Sequence, residues 1–450
     1  MTHALRASIL LAAILAFTPA AVAQKGEKWA TSWAASVQGP YPVGNPSAQP
    51  NQKFAFPSAE AGARDQTFRL IVLPDIWGKQ ARLRFSNAFG TKPVTIDGVF
   101  AGLQHTSATL VTGSNRPVTF GGKPSVTIEP GKDVWSDAVA LPFVRDAKAM
   151  AGRKLAVSFH VAGETGPMTW HAKALQTSYV TPPGSGSKGQ AEDESAFPFS
   201  TASWFFLDAV DMMAAADTKV IVAFGDSITD GTASTMNGDD RWPNVLSRRL
   251  AAAGHRAAVV NAGIGGNQVA GPPEYSPQKP FPGGPSSSAR IVRDVLSLSG
   301  VTAMIWLEGI NDFSKNGNAS PETVQIRMKD VVERICAKNP AIKVFGATVA
   351  TALGATNVNH GFPEQDEKRK ALNTFIRSSG LFDGVIDFDA ATLDPATGGL
   401  KEVFVPDSTT GGPGDRLHPN RAGYLAMGNA IDLNIIMGKK DVRASARQKK

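Results

Sequence analysis

Two periodicities divide the chain. From Trp29 to about Met213, apolar and polar residues alternate in short runs, as in Arg82-Leu83-Arg84-Phe85-Ser86, Ser125-Val126-Thr127-Ile128 and Leu155-Ala156-Val157-Ser158-Phe159-His160-Val161. A period of two puts every second side chain on one face, the pattern of a half-buried strand. Turns rich in Gly and Pro separate the runs, for example Phe89-Gly90-Thr91-Lys92-Pro93. The region therefore reads as an all-β, sandwich-like domain. Residues 182–194, rich in Gly, Ser and charge, read as a mobile surface loop. Residues 203–207 read as the last strand before the crossover.

From Lys219 the pattern changes. Apolar runs at 220–224, 257–262, 303–307, 343–349 and 385–388 alternate with helical stretches at 242–253, 287–298, 321–337 and 366–378. Five such runs imply a parallel sheet covered by helices on both faces, an α/β domain. A last helix follows Pro419, a residue suited to the first helical position. The organisation expected is a β domain over 24–213, an α/β domain over 214–438 and two flanking segments.

Those flanks have their own composition. His3 and Arg6 precede an apolar stretch over 9–17, and Ala21-Val22-Ala23 follows. This is the form of a cleavable secretory signal, residues 1–23, too short in its apolar part to span a bilayer. A secreted or periplasmic protein, not inserted in a membrane, is expected. Lys439, Lys440, Arg443, Arg447, Lys449 and Lys450 crowd residues 439–450 and account for most of the formal net charge of +7. With no interleaved aromatics, that segment reads as a solvated tail rather than a nucleic-acid arm. At 450 residues, 42% hydrophobic and 19% charged, the rest is globular and long enough for two cores. Cys336 is the single cysteine. It lies in a helical pattern and is expected to be a small buried side chain, not a nucleophile.

Candidate chemistry begins at Ser227, in Phe224-Gly225-Asp226-Ser227-Ile228-Thr229-Asp230-Gly231, directly after an apolar run. A serine at the end of a strand stands where open α/β folds bind ligands. It needs a base, an orienting acid and oxyanion donors to act as a nucleophile. Three further segments line up behind it: Asn261-Ala262-Gly263-Ile264-Gly265-Gly266-Asn267, Gly309-Ile310-Asn311-Asp312 and Asp415-Arg416-Leu417-His418. Together, in this order over roughly 219–436, the four resemble the sequence blocks of the SGNH (GDSL) hydrolases. Ile228 stands where the GDSL name has Leu. The resemblance implies a flavodoxin-like three-layer α/β/α domain.

The base can be argued from the residues. His255, His360 and His418 are the histidines of this half. His255 follows Ala253-Gly254 at a helix end, which suits a capping or surface role. His360 can line a pocket but has no acid at a supporting spacing. His418 has Asp415 three residues before it, close enough to orient the imidazole and stabilise its cation. For Asp415 alone, a helix-capping role ahead of Pro419 is the plainer alternative. Asp387 and Asp389 at a strand end are rival acids, read here as loop-stabilising groups. The Ser227 N–H is one oxyanion donor. The resemblance implies Gly266 N–H and the Asn311 side chain as two more, with Gly263 and Gly265 competing for the glycine role.

No zinc-ligand spacing and no dinucleotide fingerprint is found, and no metal or cofactor is expected. The reaction expected is acyl transfer to water through Ser227. The long loops at 271–284 and 406–415 are candidate binding loops. Tyr275 and Phe281 could stack on a sugar, although packing is the plainer role. The whole chain also resembles exported bacterial two-domain GDSL hydrolases, an architecture associated with polysaccharide deacetylation. A short-acyl, O-acetyl carbohydrate esterase is the first reading. A lipase, arylesterase or lysophospholipase-like activity on longer esters is the second, with an O-acyltransferase and a glycan-binding protein behind them. A small-molecule or polysaccharide ester is the expected substrate, with no oligomeric state assigned.

Overall fold

The computed structural model describes residues 26–438. The signal expected over 1–23 and the basic tail over 439–450 lie outside the described residues. Among the described residues, no helix is long and apolar enough to cross a membrane.

The N-terminal region is built from two antiparallel sheets. One carries β1 (Glu27–Ala34), β3 (Gln80–Ser86) and β6 (Leu207–Ala215), with β6 in the middle. The other centres on β2 (Arg64–Val72), β4 (Val94–Thr106) and β5 (Leu155–Glu164), with β5 between the other two. Alternation along β2 sends Phe68, Leu70 and Val72 into one shared core with Leu83, Phe85, Phe159, Phe205 and Phe206. Ile71 faces the other way, into a small cluster with Leu110 and Ala156.

Two details differ from the sequence reading. Residues 203–207 are not one strand. Trp204–Phe205 pairs with Trp170–His171, Phe206 turns to a left-handed φ of 60°, and β6 starts afresh at Leu207. Phe206 is fully buried in the core, and that burial holds a conformation a bulky residue otherwise avoids. β6 then runs to Ala215, so the expected boundary after residue 213 falls inside a strand. The 182–194 loop is irregular but tied down. Buried Arg69 donates to the carbonyls of Ala108, Ala191 and Asp193, and Asn115 donates to those of Gly189 and Gln190.

The C-terminal region is a parallel sheet of β7 (Lys219–Gly225), β8 (Ala257–Gly263), β9 (Val301–Leu307), β10 (Lys343–Ala347) and β11 (Gly384–Ile386). Its order, β8-β7-β9-β10-β11, is the flavodoxin-like one, with the switch point beside β7. One face buries Val220, Val222 and Phe224 against the helical turns from Ser287 and the helix Pro321–Lys338. The other buries Ile221 and Ala223 against Trp242–Ala252 and Arg421–Ala430. Ala30, Ala34 and Ala209 of β1 and β6 join the first of these cores, so the two regions share packed surface.

The expected helix over 287–298 is a short α-helix, Ser287–Ile291, continued by one π turn, Val292–Leu296. Asn420, not Pro419, caps the helix at Arg421–Ala430, accepting from the N–H groups of Ala422 and Gly423. Cys336 is exposed, a correction to its expected burial. The buried stripe of its helix is Val324, Met328, Val331, Val332 and Ile335, and the residue after Ile335 turns outward.

Candidate active site

Ser227 opens a single helical turn, Ser227–Asp230, at the C-terminal end of β7. Asp226 caps the turn by accepting from the Ile228 N–H at 2.9 Å, and Gly231 closes it at φ 107°. Gly225 leaves no room for a side chain, since a Cβ would stand 2.1 Å from the Leu307 carbonyl oxygen. The hydroxyl of Ser227 is thereby fixed at the strand edge.

His418 meets it there. Its Nε2 lies 2.8 Å from Ser227 Oγ, and its Nδ1 lies 2.6 Å from Asp415 Oδ2. The other carboxylate oxygen, Oδ1, accepts from the backbone N–H groups of Leu417 and His418. Burial alone would raise Asp415, but the bond to His418, its charge and these two N–H groups outweigh it and hold the carboxyl far below its ordinary range. With Nδ1–H facing a permanent carboxylate, Nε2 is left as the acceptor for the serine proton.

The candidate donors converge on the same place. Ser227 is the first residue of its helical turn, so its N–H has no intrahelical partner. Of the three competing glycines, Gly263 donates its N–H to Asn261 Oδ1 and Gly265 donates its own to Asp230 Oδ2. Gly266 N–H has no acceptor among the described residues. Gly266 sits at φ 86°, and a Cβ there would stand 2.6 Å from Asn45 Nδ2. Asn311 donates one amide hydrogen to the Asn267 carbonyl at 3.0 Å, which aims the side chain. Behind it, Asp312 accepts from the N–H groups of Val269 and Ala270, locking two of the sequence blocks together. Burial raises Asp312 to about 7.

Ser227, Gly266, Asn311 and His418 line a cavity of about 330 Å³. His360 lines it too. Burial, with the charge of His418, pulls its imidazole down to about 4, so it stands neutral at pH 7. The rival acids are elsewhere occupied: Asp389 pairs with Arg369 and Arg377, and Asp387 pairs with Arg377. Tyr275 packs rather than faces the cavity, its hydroxyl donating to the Gly39 carbonyl, whereas Phe281 is part of the wall. His255 lies away from Ser227, in a larger groove of about 1380 Å³ shared with Lys219 and Ala257 at the opposite ends of the strands.

Among the wall residues that sequence reasoning missed, Asn45 and Lys173 come from the β domain. Lys173 Nζ donates to Thr232 Oγ1 at 2.6 Å. In sequence Lys173 stands between two alanines, Ala172 and Ala174, with nothing local to mark it. Its contacts, Thr232 and Gly265, belong to the α/β domain. Among the described residues, no group of three or more His, Cys, Asp and Glu could hold a metal ion.

Residues 223–426 match the model of the GDSL-like lipase/acylhydrolase family. This segment belongs to that family. The chain is accordingly a carboxylic ester hydrolase. Solved structures similar to part of the chain include a carbohydrate acetylesterase from Sinorhizobium meliloti, 14% identical with a TM-score of 0.36, covering 47% of this chain and 96% of that one. A putative arylesterase from Agrobacterium tumefaciens is 18% identical with a TM-score of 0.36, covering 51% of this chain and 99% of that one. A lipase/acylhydrolase from Enterococcus faecalis is 23% identical with a TM-score of 0.35, covering 47% and 93%. No curated protein matches the chain.

Proposed function

We propose that this GDSL acylhydrolase is an exported serine esterase that removes short acyl groups, O-acetyl above all, from carbohydrates. The observation that carries the mechanism is the unbroken chain from Ser227 Oγ through His418 to Asp415, with contacts of 2.8 and 2.6 Å. Ser227 attacks the ester carbonyl while His418 Nε2 takes its proton. The developing oxyanion is held by the N–H groups of Ser227 and Gly266 and by the Asn311 amide. His418 then hands its proton to the leaving alcohol, and a water activated by the same imidazole releases the acyl group. Asp415 stays ionised throughout, because its folded environment favours the carboxylate so strongly.

The wall of the cavity supports the choice of substrate. Asn45, Asn311, Asn316, Asn357 and Asn359 all contribute to it. Amides offer donors and acceptors to sugar hydroxyls and little apolar surface to a long acyl chain. Residues 1–23 serve in this reading as a cleaved signal, which requires an N-terminus near Gln24 on the exported protein.

The test is substrate competition. Acetate release from acetylated xylan and a p-nitrophenyl ester series from acetate to palmitate should show kcat/KM falling steeply beyond short chains, with acetate freed from the polysaccharide. A rise toward palmitate, with acetylated xylan untouched, would replace this reading with that of a lipase.

A further inference from the structure

We propose that the β domain completes the oxyanion site: Asn45 is a positioning residue that sets the plane of the Gly265–Gly266 peptide by donating to the Gly265 carbonyl. The proposal rests on the assignment of Gly266 N–H as an oxyanion donor.

A peptide unit is planar, so whatever fixes the carbonyl of Gly265 also aims the N–H of Gly266. Asn45 Nδ2 donates to that carbonyl at 2.7 Å. A bond accepted at the carbonyl also polarises the amide and makes its N–H a better donor. Consecutive glycines are the least constrained backbone a turn can have, and neither has a side chain with which to anchor itself. One anchor, Asn45, comes from the other domain, and a second reaches back to it through Asp230. Besides Asn45, the Gly265 N–H is held by Asp230 Oδ2, and Asp230 Oδ1 meets His171 Nε2 at 3.1 Å. His171 Nδ1 in turn lies 2.8 Å from the Ser36 carbonyl, inside the β domain. The stem of Lys173 packs over Gly265, so closely that a Cβ there would stand 3.1 Å from Lys173 Cε. A donor held still before the reaction costs no reorganisation when charge develops, and that rigidity is what the β domain supplies.

The experiment uses the full chain, p-nitrophenyl acetate and the variants Asn45→Ala and Asn45→Asp. The aspartate keeps the size but has no N–H to donate, and it serves alone if the alanine variant fails to fold. Removing an oxyanion donor outright costs about 100- to 1,000-fold, so misaiming one should lower kcat by roughly 10- to 100-fold with KM within about twofold. Affinity for a boronic acid that forms a tetrahedral adduct on serine should fall by the same factor as kcat/KM, a readout that looser packing alone would not move. Unchanged kcat, or a loss confined to KM with boronate affinity intact, overturns the proposal. Ser227→Ala, run alongside, separates the two levels. If it is inactive while the Asn45 variants are normal, only the role of Asn45 fails. If it hydrolyses at the native rate, the site assignment fails and Asn45 with it.

Discussion

The strand β6 of the β domain and the region behind Ser227 treat buried charge in opposite ways. Along β6, buried charge is matched: Arg84 pairs with Asp208 at 2.7 Å and Arg82 with Asp211 at 2.8 Å, while Arg69 of β2 spends its guanidinium on carbonyls and on Ser158. Behind Ser227, the α/β domain gathers three buried carboxyls, Asp226, Glu308 and Asp312, with the charge of Arg290 acting on the first two. Burial pushes all three upward, and Asp226 and Asp312 are pushed further by their acidic neighbours. One region is organised for packing. The other tolerates crowded like charges where its strands end, and such crowding is a mark of functional sites.

The difference can be sharpened by separating stability from turnover. Phe68 is fully buried and packs against Phe159 with centroids 5.2 Å apart. Phe68→Ala should lower unfolding free energy by about 3–5 kcal/mol in urea titrations while leaving kcat per folded molecule unchanged. A loss of kcat in the folded fraction would show that the β-domain core, and not only its surface at the cleft, sets the site. Asn45, on the same domain, is expected to do the reverse.

A smaller effect lies in pH. His360 titrates near 4 when folded and near 6.5 as a free side chain, so between these values the unfolded chain binds the extra proton. Stability therefore falls as pH drops from about 6.5 to about 4, and the contribution is complete above that window. His360→Gln should flatten this part of the urea-midpoint profile between pH 7 and 4.5. An unaltered slope would place the acid sensitivity on other groups.

Much of this was legible in the chain. Strands of the parallel sheet are continuous apolar runs because helices cover both faces, and the short segments around Ser227, Gly266 and Asn311 each follow such a run. What could not be read depends on tertiary contact. Phe206 breaks a strand that its apolar neighbours continue in sequence, since core packing holds its left-handed backbone. Cys336 looked apolar, and a rotation of one residue past Ile335 put it outside. Asn45 and Lys173 carry no local signal at all. Roughly 180 residues separate Asn45 from Ser227 in sequence, and docking alone brings them to one cavity.

The central claim is that Ser227 carries the acyl group, and the most direct test is the intact mass of the enzyme quenched during turnover of p-nitrophenyl acetate. The account predicts one added acetyl group, mapped by peptide fragmentation to Ser227, and none on Ser227→Ala. Acetyl on another residue, or native turnover by the alanine variant, would contradict it.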